Sequence, residues 1–204
     1  VARLKVLKSD HQSKQYRLEE QLLTYYPVEI EKYQGFIKGF EKDIETVENN
    51  PLPKDDFIGM KIGTKTIIEK ELAGESILVT CKNLKGTDPI NVVEYRGFKM
   101  EFSFDSFKQE YYLTLKGKMS HRLTLGTDAR GNITRIDNIL AGISNRLEKV
   151  KTQLDNLYHQ EEVAKQEVGK PFPQEAELTK KSSRLAELDA LLNMDDKQAH
   201  EEMK

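Results

Sequence analysis

The chain has 204 residues, of which 32% are charged and 37% hydrophobic. Its 32 basic and 34 acidic residues leave a formal net charge of −2, which gives no overall positive field of the kind found on many nucleic-acid-binding proteins. The single cysteine, Cys81, excludes disulfides within the chain and a zinc cluster built on cysteines, and it favours a reducing, cytoplasmic location. No apolar run approaches the ~18 residues that a membrane-spanning helix requires, so we expect no membrane partner.

Residues 1–50 are predicted to form an N-terminal helical arm. Residues 1–26 favour a helix, and Pro27 either kinks it or opens a second helix that ends near Asn49. Because the chain starts without methionine and in helical sequence, we interpret it as part of a longer protein. The second half of the arm carries a seven-residue repeat of apolar side chains at Ile30, Tyr33, Ile37, Phe40, Ile44 and Val47.

Residues 51–132 are rich in β-branched and aromatic residues, in short runs broken by Gly, Asn and Asp, which predicts a small β module. The run from Phe98 to Phe104 alternates apolar and polar residues, and Gly117 lies between two further runs, which indicates a hairpin. Such strands usually close into a small antiparallel barrel or sandwich. Seven strands are predicted, over residues 57–63, 66–69, 76–81, 90–96, 98–104, 110–116 and 119–125.

Residues 133–194 are predicted to form a long helix that ends before Pro171 and a C-terminal helix after it. The sequence from Asp195 lacks apolar periodicity, which predicts a disordered tail at 195–204. Together these elements predict an α+β fold: a long antiparallel helical hairpin, or coiled coil, with a small antiparallel β barrel or sandwich inserted at its tip. The long helix carries a strict heptad stripe of Ile136, Leu140, Ile143, Leu147, Val150, Leu154, Leu157, Ala164 and Val168, and the C-terminal helix carries Leu178, Leu185, Leu188 and Leu192.

Motifs for catalysis are missing from the sequence. No glycine-rich loop ends in Gly-Lys-Ser or Gly-Lys-Thr, so no nucleotide phosphate site is predicted. The segment Thr87-Asp-Pro-Ile90 lacks the second proline and the aromatic residue with which amino-methyltransferases hold a flipped base. The four histidines are scattered, without the spacing of metal ligands. We therefore predict no catalytic residue, no metal site and no cofactor, and we expect that the chain is not an enzyme.

Two segments suit ligand contact, although each also has a plain structural interpretation. In Tyr95-Arg-Gly-Phe98, the arginine and the aromatic residue could hold a phosphate and stack a base, or the four residues could form a hairpin turn. In Gly131-Asn-Ile-Thr-Arg135, backbone amides at a helix start and Arg135 could bind an anion, or Asn132 could cap the helix. The sequence leaves both pairs of alternatives open.

Six short motifs occur in order along nearly the whole chain: Ile62-Gly-Thr64, Lys70-Glu71 with Ala73-Gly74-Glu75, Tyr95-Arg-Gly-Phe98, Gly131-Asn-Ile-Thr-Arg-Ile-Asp-Asn138, Lys170-Pro-Phe-Pro-Gln-Glu175 and Arg184-Leu-Ala-Glu-Leu188. This arrangement resembles the C-terminal region of very large bacterial proteins, carried by conjugative elements and phages, that join a Swi/Snf-like helicase to an adenine-specific DNA methyltransferase. The resemblance implies a parent that acts on DNA in the transfer, maintenance or defence of a mobile element, with its catalytic domains upstream.

Our leading hypothesis is a non-catalytic accessory domain that positions such a parent on DNA or on a partner. The expected contact surface on the β module consists of Arg96, Phe98, Arg122 and Arg135. The alternative is a purely structural coiled-coil module for protein interaction or oligomerisation. Such a module would dock against upstream domains of the parent or associate with another copy of the chain through its heptad helices.

Overall fold

A computed structural model describes residues 1–53, 57–62, 64–84 and 90–202 of the chain, with the backbone alone at 90–92 and 195–202. The chain divides into two compact units. The first comprises residues 1–30 and 156–204, and the second comprises residues 31–155. None of the helices in the described ranges is long and apolar enough to cross a membrane.

The first unit is helical. The helix is continuous through Pro27, which closely follows a short π-helical segment that joins the first two α-helices. The last helix continues to Glu202, past residue 194, where the sequence predicts the start of a disordered tail. The unit contains α1 (Ala2–Glu20), the π-helical segment (Gln21–Tyr25), the start of α2 (Tyr26–Asn49), the end of α5 (Ile143–Glu167) and α6 (Glu175–Glu202).

Polar contacts fasten α1 to the turn between α5 and α6. The Gln15 amide nitrogen donates to the carbonyl oxygen of Glu167 at 3.2 Å, and its amide oxygen accepts from the Gly169 N–H at 2.6 Å. Nearer the start of α1, Lys8 Nζ lies 2.7 Å from Glu175 Oε1. Since Gln15 meets the end of α5 and Lys8 meets the start of α6, α1 runs along the turn that joins these two helices.

The second unit contains an open, antiparallel six-stranded sheet with strand order β2-β1-β3-β4-β5-β6. The predicted barrel or sandwich is wrong, because the edge strands β2 and β6 are far apart in this order and the sheet does not close. The hairpin around Gly117 is confirmed, since β5 and β6 pair across it. The strands are β1 (Met60–Ile62), β2 (Lys65–Ile67), β3 (Ile90–Tyr95), β4 (Phe98–Asp105), β5 (Glu110–Lys116) and β6 (Ser120–Thr124).

The predicted strand over residues 76–81 is wrong, because this segment lies in helix α3 (Lys70–Lys82). Its β-branched residues favour a strand locally. The buried side chains of Ala73, Ile77 and Cys81, however, recur every four residues, which is the spacing of one helix face. Packing of this face against the core therefore overrides the local preference of the residues.

The core of the second unit lies between one face of the sheet and the helices. Helix α4 (Ala129–Ala141) contributes Ile133, Ile136 and Leu140, and Gly142 separates it from α5. Phe40 of α2 and Leu147 of α5 belong to the same core as the strand residues. The sheet thus packs against the flanks of helices, and the predicted position at the tip of a hairpin is wrong.

Long helices that run antiparallel are confirmed within the second unit. Val47 of α2 and Ala141 of α4 line the same cleft, while Asp43 of α2 interacts electrostatically with Arg146 of α5. The sequence numbers therefore fall along one helix run as they rise along the other. The heptad stripe that begins at Ile136 is buried or half-buried throughout, so the chain itself covers this stripe.

Candidate functional site

The segment Tyr95-Arg-Gly-Phe98 forms the two-residue turn that joins β3 to β4. Arg96 and Gly97 both have positive φ values, 49° and 79°, and Tyr95 pairs with Phe98 across the turn. Positive φ at both central residues is the geometry of a type I′ hairpin, which matches the twist of the strands. The hairpin alternative is therefore confirmed. The non-glycine residue Arg96 is held in a left-handed conformation that side chains rarely adopt.

The Arg96 side chain is directed into the protein and is only 7% exposed. Its Nε donates to the carbonyl oxygen of Asn50 at 2.9 Å, and one terminal nitrogen lies 3.4 Å from Asp137 Oδ1. The Tyr95 hydroxyl donates to the same carboxylate oxygen at 2.9 Å. Arg96 thus ties the hairpin to α4 and to the residue after α2, and these contacts compete with any phosphate contact.

A cleft of about 480 Å³ opens beside this cluster. Arg96, Asp137, Lys70 and Glu48 contribute two positive and two negative charges to its lining. Burial raises the pKa of the Asp137 carboxyl, while the Tyr95 hydrogen bond and the nearby cations oppose this shift. The charges in the cleft are balanced and Arg96 is already paired, so the cleft offers no strong site for a charged ligand.

Phe98 does not contribute to a contact surface in this structure. Its side chain is 0% exposed and belongs to the hydrophobic core. The alternating pattern of β4 explains this placement, because Phe98, Met100 and Phe102 share the face that packs against the helices. The proposal that Phe98 stacks on a base is therefore wrong for this conformation.

Arg122 lies on the opposite, uncovered face of the sheet. Its guanidinium stacks over the Tyr112 ring, with the carbon of the guanidinium 3.9 Å from the ring centroid. The two residues are diagonal neighbours on adjacent strands, since Tyr112 pairs with Thr124 and Thr114 pairs with Arg122. The Tyr112 hydroxyl donates to Glu110 Oε2 at 2.7 Å. The result is a flat, partly exposed stack held in place by the strand register.

Charges on this open face are arranged in rows that cross the strands. One row runs Lys61, Glu94, Lys99 and Lys116 over four adjacent strands, so it carries three positive charges and one negative charge. These four side chains are exposed, and Lys116 Nζ lies 3.5 Å from Glu101 Oε2 in the next row. The open face is therefore basic at the end of β4 that is nearest the Arg96 turn.

The other end of the open face is acidic. Asp105 of β4 pairs with Glu110 of β5, three residues along each strand from the pair of Phe102 and Leu113. Among its described side chains, this face carries four basic and four acidic groups; three of the basic ones lie in the Lys61 row, and two of the acidic ones, Asp105 and Glu110, lie at the opposite end. A negatively charged ligand is therefore attracted to one end of the sheet only.

The second segment, at the start of α4, is a capped helix end. The Asp128 carboxylate accepts from the Gly131 N–H at 2.6 Å, so Asp128 is the cap in place of the predicted Asn132. Asn132 is buried and makes two hydrogen bonds with the backbone of Gly126. Because a carboxylate already occupies the helix start, the anion site expected there is not available.

Arg135 lies on α4, on the side of the sheet opposite to Arg122. One of its terminal nitrogens lies 3.3 Å from the Asn132 side-chain oxygen, and its side chain is exposed. The four predicted contact residues thus occupy separate positions: Arg96 is paired and buried, Phe98 is in the core, and Arg122 and Arg135 are on different faces. Arg122 is the one that stacks on an aromatic ring, that of Tyr112, one row away from Lys116 on the open face.

A buried cluster around Asp43 is the feature that sequence reasoning missed. The Asp43 carboxylate accepts from the N–H groups of Lys118 and Met119, at 2.6 and 2.8 Å, and from His121 Nε2 at 2.8 Å. The side chains of Asp43 and His121 are each 1% exposed. Burial lowers the pKa of His121, and Arg146 lowers it further, against the opposing effect of Asp43.

The signal for this cluster was present in the sequence. Asp43 follows Phe40 by three residues and precedes Val47 by four, which places a carboxylate on the apolar face of α2. A charged residue at such a position needs a partner. The partner groups lie on the β5–β6 turn and in β6, more than seventy positions later in the chain, so no local pattern pairs them with Asp43.

Comparison with known proteins does not assign the chain to a family. No known protein family matches the chain, and no curated protein or solved structure shows significant similarity to it. In the described ranges, no three His, Cys, Asp or Glu side chains are placed to hold a metal ion. Residues 87–89, part of the segment compared with the methyltransferase motif, lie outside the described residues.

Proposed function

We propose that this chain is a non-catalytic accessory domain of a DNA-processing protein and that it positions the parent by contacting DNA through the open face of its sheet. The observation that carries the proposal is the row of Lys61, Glu94, Lys99 and Lys116, with three positive charges and one negative charge, beside the Arg122–Tyr112 stack. The resemblance to helicase and methyltransferase fusions supports the class of ligand, and the surface chemistry supports the place of contact.

The geometry suits a single strand better than a duplex. Neighbouring strands are about 4.8 Å apart, so the row from β1 to β5 spans about 14 Å, which is a short segment of nucleic-acid backbone. The planar guanidinium of Arg122, stacked on the half-buried Tyr112 ring, offers a surface on which an unpaired base can stack without sequence preference. In a duplex the bases are already stacked, and only the phosphates would be available to this face.

The test is fluorescence anisotropy with single-stranded, duplex and forked DNA across a salt series. Neutralisation of three or four phosphates predicts a slope of about −2 to −3 for the logarithm of affinity against the logarithm of salt concentration. The substitution R122A removes both charge and stacking and should weaken binding by about 1–3 kcal/mol. R122K keeps the charge and loses the planar stack, so it should retain the salt slope but lose affinity.

The matched control is K149A, which removes an exposed lysine from α5, away from the sheet face. Equal losses of affinity in K149A and R122A would indicate general electrostatic attraction and would contradict the proposed surface. Absence of binding to all three DNA forms at low salt would reject DNA contact by this chain. The protein-interaction alternative would then remain.

That alternative is favoured by a separate observation. Most of the large hydrophobic side chains that are exposed in the described part of the chain belong to the first, helical unit, among them Leu23, Val28, Tyr16 and Val6. Apolar side chains exposed on helices are available for contact with another protein. Pull-down of separately expressed upstream domains of the parent would test it, with L23S as a variant that reduces the exposed apolar surface.

A further inference from the structure

Helix α6 carries a leucine stripe that its own chain leaves uncovered. Leu178, near the start of the helix, is buried, whereas Leu185, Leu188 and Leu192 are 45%, 42% and 63% exposed. Their spacings of three and four residues place the three leucines on one face. In heptad notation Leu185 and Leu192 are at position a and Leu188 is at position d, the pattern of a coiled-coil seam.

The residues beside the stripe are complementary in charge to a second copy of the same helix. With Leu185 at a, Arg184 is at position g and Asp189 is at the following position e, five residues later. In a parallel two-stranded coiled coil, a g residue meets the e residue five positions further along the partner helix. Arg184 of each copy would therefore meet Asp189 of the other, and the pair would form twice.

The antiparallel arrangement lacks this complementarity. There, g positions face g positions and e positions face e positions, so Arg184 of one copy would not meet Asp189 of the other, and both ion pairs would be lost. Arg184 now lies 2.9 Å from Glu187 on its own helix, and this exposed pair is weak enough to be exchanged.

The seam is short. At the preceding d position stands Lys181, whose Nζ lies 2.7 Å from Glu177 on the same helix, so the uncovered seam begins at Leu185. Two helical turns of contact give a weak association, because short helices gain little from each other. We propose that α6 forms a parallel, in-register dimer with α6 of a second copy of this chain.

The first experiment uses cysteine cross-linking in the full chain. In a parallel, in-register dimer the two residues at position 188 meet across the seam, so L188C should form a disulfide-linked dimer under mild oxidation. S183C places the thiol at position f, on the far side of the helix, and is the matched control. The native Cys81 is buried, and its pKa is raised to about 11, so it does not compete.

We expect L188C to cross-link at least tenfold faster than S183C. Equal rates would overturn the proposal, since they would show random collision. Cross-linking of L188C in a mixture with L192C that exceeds cross-linking of either variant alone would also overturn it, because that result would indicate a shifted register.

The second experiment measures mass by sedimentation equilibrium over a range of concentrations. The wild-type chain should rise from 23.5 kDa toward twice this value. The substitutions R184E and D189R should each weaken the dimer, and the double variant R184E/D189R should restore it, because the charges are exchanged. A wild-type chain that stays monomeric at every concentration, or a double variant weaker than both single variants, would overturn the proposal.

Discussion

The substitution D43A should destabilise the second unit more than any surface change. It removes a carboxylate that accepts three hydrogen bonds, from Lys118 N, Met119 N and His121 Nε2. Each hydrogen bond to a charged group contributes about 1.5–3 kcal/mol. Release of the carboxylate from a buried site offsets part of this loss, so we expect a net cost of about 4 kcal/mol, in the range found when one partner of a buried pair is removed.

The assay is urea-induced unfolding followed by circular dichroism, together with thermal unfolding. A cost of this size should lower the melting temperature by roughly 10 °C. D43N keeps one acceptor oxygen and should lose about half as much stability. D155A, which removes an exposed carboxylate from α5, is the control and should change stability by less than about 0.5 kcal/mol. A cost below about 1 kcal/mol for D43A would refute the view that Asp43 anchors the β5–β6 turn.

Two further predictions concern buried titratable groups. The folded-state pKa of His121 is lowered, so the unfolded chain takes up a proton first as the pH falls through about 6.5. The free energy of unfolding should therefore decline between pH 7 and pH 5. In H121Q, measured by urea unfolding at each pH, this decline should be shallower. An unchanged slope in H121Q would contradict this assignment. R96A removes the partner of the half-buried Asp137 and the hydrogen bond to Asn50, and should cost about 2 kcal/mol in urea unfolding, whereas K99A on the exposed face should cost almost nothing. Equal effects of the two substitutions would contradict the structural role of Arg96.

The fold could be predicted from the sequence where local pattern and packing agree. The alternation from Phe98 to Phe104 and the heptads from Ile136 onward correspond to a strand and to helices. Residues 76–81 were predicted incorrectly, since their β-branched side chains give a local preference that the helix face of Ala73, Ile77 and Cys81 overrides. Closure of the sheet could not be predicted, because pairing between distant strands leaves no mark in a local pattern.

The candidate site was harder to predict for the same reason. Arg96 is followed by glycine in a turn, and this context suggested exposure, but its partners Asn50 and Asp137 are more than forty positions away. Arg122 was predicted as a contact residue without its aromatic neighbour, since the Arg122–Tyr112 stack depends on the register of β5 and β6. Long-range partners decide which of two similar arginines remains accessible.

The π-helical segment Gln21–Tyr25 reconciles two seven-residue repeats that are out of phase. In an uninterrupted α-helix, the covered positions before and after this segment could not share one stripe, because the step from Leu22 through Tyr26 to Ile30 contains one residue too many. A π turn accommodates one additional residue. Here it sacrifices no hydrogen bond at Pro27, because proline has no N–H and could not have donated the α-helical hydrogen bond to Leu23. The segment therefore has the form of a single-residue insertion that the helix absorbed without losing either repeat. The covered positions are Leu4, Lys8, His11, Gln15, Leu18 and Leu22 before it, and Tyr26, Ile30, Tyr33, Ile37, Phe40, Ile44 and Val47 after it.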